Sequence, residues 1–113
     1  MDAEAFLSRV REDEGLTSDL DEAEATELLA WLDKRVGAIV AKASSEEAAW
    51  EKVEALCKRC RSLVKSVAAA RDGDAEGAKA GVKELGLKYP ASGGDNPGEL
   101  LRQLLTQEAK KKA

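Results

Sequence analysis

The stretch "AWEKVEALCKRCRSLVKSVAAA", residues 49–70, carries the pattern on which the fold turns. Ala49, Val53, Leu56, Cys60, Leu63, Val67 and Ala70 recur at alternating steps of four and three, with Trp50, Cys57 and Val64 one place further round. That is the a/d seam of a long helix with a wide apolar face. Upstream, Ala25, Leu29, Leu32, Val36, Ile39 and Ala43 repeat the same steps. Ser44 with Glu47 stands between the two seams in capping-box spacing, so the chain should turn there and fold back as a helical hairpin.

Outward from the hairpin the punctuation is helical. Phe6, Leu7 and Val10 share one face of a first helix that stops by Gly15. Asp19 or Asp21 can cap the second helix, because Glu22 or Glu24 follows three residues on. "RDGDAEG" breaks the third helix, and a fourth follows with Ala75, Ala78, Val82 and Leu85 on one face. Asn96 as cap, Pro97 at the first helical position and Glu99 at the third open a fifth helix with Leu100, Leu101, Leu104 and Leu105 as its apolar face. The predicted fold is therefore all-α, a four- to five-helix bundle built around a long antiparallel helical hairpin. One domain spans 1–113, with helices at 2–14, 20–43, 45–71, 74–86 and 97–110 and a flexible loop at 87–96.

Composition narrows the function classes. Histidine is absent, which removes His-ligated zinc and the nucleophile pairs that need an imidazole. No run approaches the roughly 18 apolar residues of a membrane span, and the acidic start "MDAEAF" is unlike a secretory signal. These features predict a cytoplasmic, non-enzymatic protein without a cofactor. The net charge of −4 conceals an asymmetry: residues 1–51 hold 5 Lys+Arg against 14 Asp+Glu, whereas residues 52–113 hold 13 against 8. Such halves attract each other, within one chain or between copies paired head to tail.

Five features could carry binding. Cys57 and Cys60 lie on one helix face, but a structural zinc wants four ligands, so a metal site would need a dimer that shares two such pairs. A thiol redox reading lacks the helix N-terminus and strands that accompany Cys-x-x-Cys in redox folds, and the seam places both cysteines at or beside core positions. From Asp72 the chain resembles a calcium loop through Asp74, Glu76 and Gly77, then fails, with Lys83 where the bidentate carboxylate belongs. Gly73, Gly77 and Gly81 form a ridge of small residues and predict a marginal, mobile fourth helix. Lys52, Lys58, Arg59, Arg61 and Lys65 make a basic run, which offers nucleic-acid contact as an alternative function but lacks interleaved aromatics in an acidic chain.

Trp31 lies off its seam beside Leu28 and one turn from Arg35, where a bundle partner or another protein must cover it. Leu28, Trp31 and Arg35, together with Leu101 and Leu105 of the last helix, are the predicted partner-binding residues. Leu63 to Lys88 is loosely similar to the WHEP hairpin appended to eukaryotic aminoacyl-tRNA synthetases, which contributes to RNA binding. The likeness is a Val-Lys pair on each helix and "VKEL"; that hairpin's Gln-Gly-Asp turn is missing, and no function is carried over. The sequence as a whole points to a protein-protein interaction module, acting on a helical partner or on itself as a homodimer.

Overall fold

In the computed structural model, which describes residues 2–91 and 96–111, every regular element is helical. The order is α1 (Ala3–Arg11), one 3-10 turn (Glu14–Leu16), α2 (Glu22–Lys42), α3 (Glu46–Arg71), α4 (Ala75–Glu84) and α5 (Pro97–Lys111). The expected four- to five-helix, all-α bundle is the observed class, with no strand among the described residues. The chain divides into two compact units, 1–60 and 61–113, and the division falls inside the uninterrupted α3.

In the first unit, α1 ends at Arg11, three residues short of the predicted limit. The cause is local. Asp13 turns its carboxylate onto the Gly15 N–H at 3.0 Å and starts the 3-10 turn, which carries Leu16 into a fully buried position. At α2 the capping box closes on Asp21. The Glu24 N–H donates to Asp21 Oδ1 at 2.8 Å, and the Asp21 N–H donates to Glu24 Oε1 at 3.0 Å. Helix α3 is capped by Ser45 and not by Ser44: its Oγ accepts the Ala48 N–H at 3.1 Å, and with Ala48 as the third helical residue no box forms.

The buried residues of α2 also differ from expectation. Leu28, Leu32, Val36 and Val40 are buried, following Glu24 at steps of four, while Ala25, Leu29 and Ile39 are only half-buried. An i, i+4 row is the ridge of a crossing helix contact and not the straight seam of a coiled coil. Helix α1 lies against α2, and its Arg11 reaches both oxygens of Asp33 at 3.2 Å. Phe6 stacks on Trp50 at 4.2 Å between centroids, and Arg9 sits 4.8 Å from the same ring. Aromatic stacking and the cation–π contact tie α1 to the start of α3.

In the second unit, two helices end in the same way. After α3, Gly73 at φ 85° places its N–H on Ala70 O and the Asp74 N–H on Ala69 O. After α4, Gly86 at φ 74° does the same with Lys83 O, and Leu87 with Val82 O. Both are Schellman caps, which need a left-handed residue that only glycine adopts at little cost. Asp74 then caps α4 through the Gly77 N–H at 2.9 Å, so the region resembling a calcium loop is a helix stop followed by a helix start.

The glycine ridge resolves into separate roles. Gly73 makes the turn, Gly77 leaves room for its own cap, and Gly81 faces Ser66 of α3, whose Oγ a Cβ there would strike. Residues 92–95 of the expected flexible loop lie outside the described residues. Its Lys88 is tied at two points, the N–H donating to Gln107 Oε1 and the carbonyl accepting from Gln107 Nε2, each at 2.8 Å.

The contact between α3 and α4 is directly testable. Gly81→Ala must displace the Ser66 hydroxyl and so should give less than the about 1 kcal/mol that alanine gains over glycine inside a helix, and with Ser66→Ala in the same chain that gain should appear in full. Urea melts of the two single variants and the double variant measure it.

Candidate interaction surface

Cys57 and Cys60 are buried thiols, 7% and 0% exposed. They occupy the apolar face that the seam assigned them, and among the described residues no cluster of three or more His, Cys, Asp or Glu could hold a metal ion. Their burial is the setting in which cysteine behaves as a small hydrophobe.

Leu28, Leu101 and Leu105 are also core residues, at 0%, 0% and 5% exposure. They are therefore not surface anchors. The leucine face of α5 is covered within the chain, and Leu28 turns inward on the i, i+4 row of α2 instead of standing beside Trp31 at the surface. Leu28 and Trp31 are helix neighbours whichever of them points outward, so spacing alone does not decide between them.

Trp31 and Arg35 remain accessible. Both are half-buried on α2, and the Arg35 guanidinium lies 5.8 Å from the Trp31 ring. An arginine one turn on from a tryptophan keeps the ring oriented and leaves both an apolar plate and a cation at the surface. Of the basic run on α3, Lys52, Lys58 and Lys65 are exposed while Arg59 and Arg61 are half-buried. Lys58, Arg59 and Arg61 all interact within the chain. They do not form a bare cationic face.

Three features escaped the sequence reading. The Phe6–Trp50–Arg9 cluster was legible as an aromatic and an arginine three apart on α1, but its third member could be found only in three dimensions. Glu108 is fully buried and has contacts within the chain. It stands four residues after Leu104 and seven after Leu101, so spacing alone places a carboxylate in the α5 core. The Tyr89 hydroxyl is buried with no hydrogen-bond partner among the described residues, and Lys79 Nζ lies 5.8 Å from the ring.

No helix among the described residues is long and apolar enough to cross a membrane. Comparison with protein-family models, with curated proteins and with solved structures finds no match to this chain.

The thiols give a direct check on the site. Both should react slowly with a thiol reagent in the native protein and at the free-thiol rate in denaturant. Cys60→Ser should cost about 1–2 kcal/mol by burying a hydroxyl, with no change in metal content by mass spectrometry.

Proposed function

We propose that this chain is a non-enzymatic interaction module that associates with a helical partner or with itself through the outer face of α2, at Trp31 and Arg35. The observation that supports this reading is the accessible Trp31–Arg35 pair. Tryptophan and arginine are enriched among residues that dominate binding energy, and a half-buried ring held by a neighbouring cation loses little freedom when a partner covers it.

A photo-reactive benzophenone residue at Ala38, an exposed position one turn beyond Lys34, tests the reading. Irradiation in a cell extract, or of the pure protein with itself, should give an adduct of defined mass whose yield falls about tenfold or more with Trp31→Ala. No adduct in either setting would overturn it.

A further inference from the structure

We infer that the partner of α2 is a second copy of this chain, with two α2 helices packed antiparallel about a two-fold axis between Ala30 and Trp31. The inference rests on the association reading above and narrows it to one occupant.

It starts from how charge is laid along α2. Of the acids of α2 that are not buried, Glu22 and Glu27 precede Leu28, and the bases Lys34, Arg35 and Lys42 all follow Asp33; Glu24 is buried in its capping box and faces no partner. Asp33 breaks the pattern, but it is bound to Arg11. An antiparallel second helix therefore sets an acidic half against a basic half at both ends, and Glu27 of each copy meets Lys34 of the other. Glu27 also has contacts within its own chain. A carboxylate accepts about four hydrogen bonds, so these do not exhaust it. Antiparallel pairing also opposes the two helix dipoles favourably.

The same face is open and shaped for close approach. At about 100° per residue, Ala23, Ala30, Lys34, Gly37 and Ala41 fall in one sector of roughly 60°. All are exposed except Gly37, which is intermediate. The outer face of α3, by contrast, is lined by Glu51, Lys52, Glu54, Lys58 and Lys65. Gly37 has no reason within the chain to be glycine. It lies mid-helix, where glycine costs about 1 kcal/mol relative to alanine, and a Cβ built on it meets nothing within 4 Å. Trp31 of each copy then flanks the seam beside the two-fold axis, with Arg35 one turn further along. The first unit carries 8 Lys+Arg against 15 Asp+Glu, and its self-repulsion is damped beyond the Debye length of about 8 Å in physiological salt, whereas the Glu27–Lys34 contacts are short-range.

One helix per copy makes a small interface, so the dimer is expected to dissociate at about 10–100 µM. Sedimentation equilibrium of the full chain from about 10 µM to 1 mM measures it, with circular dichroism melts to verify folding. Glu27→Lys should weaken the dimer about tenfold, and Glu27→Lys with Lys34→Glu should restore it. Gly37→Leu should abolish the dimer while leaving the monomer as stable or more so. A monomer up to 1 mM, or a dimer indifferent to Gly37→Leu and Glu27→Lys, overturns the inference. If the pure protein stays monomeric but Ala38 still cross-links to another protein in a Trp31-dependent way, self-pairing falls and the association reading survives. A monomer without any adduct removes both.

Discussion

Helix α3 is the one element that belongs to both compact units, and its unbroken run of 26 residues, about 39 Å long, constrains everything else. Its buried stripe has to serve two cores in succession: Ala49, Val53 and Leu56 in the first unit, Leu63, Val64 and Val67 in the second. Cys57 and Cys60 continue the stripe of the first unit, buried as small, polarisable side chains.

The second unit holds its short helices through backbone punctuation more than through area. Two Schellman caps, each with a left-handed glycine, stop α3 and α4, and Gly81 lets α4 approach Ser66 where a larger residue would hold it off. Helix α4 has 10 residues and two internal glycines, so its own propensity is poor. Burial of Ala78 and Val82 and the fixed ends offset that weakness. Two hydrogen bonds from Gln107 hold Lys88, just after α4, against α5.

The surface follows from the same division of labour. The buried polar residues Glu24, Ser66 and Glu108 have partners: Glu24 in its capping box, Ser66 on the Ser62 carbonyl at 3.2 Å, Glu108 in contacts within the chain; the Tyr89 hydroxyl is the exception among the described residues. With α3 and α5 spending their apolar faces internally, α2 is left with an outer face that is neither charged enough to be a plain solvated face nor covered by its own chain.

Much of this was legible in local sequence. The α3 seam, the Asp21–Glu24 box, the Asn96–Pro97 start and the glycine stops are near-neighbour patterns, and near-neighbour geometry on a helix is set by its periodicity and its end groups. Tertiary structure alone decided the cases in which two local solutions were equally good. Helix α2 is apolar on more than one face, so an a/d seam through Leu29 and Ile39 and an i, i+4 row through Leu28 and Val40 were both available, and only the packing of α1 and the rest of the core selected the second. That choice turned Leu28 inward and left Trp31 at the surface. The stack of Phe6 on Trp50 and the tie between Lys88 and Gln107 likewise join residues far apart in the chain, whose meeting depends on how helices cross and not on any spacing within them.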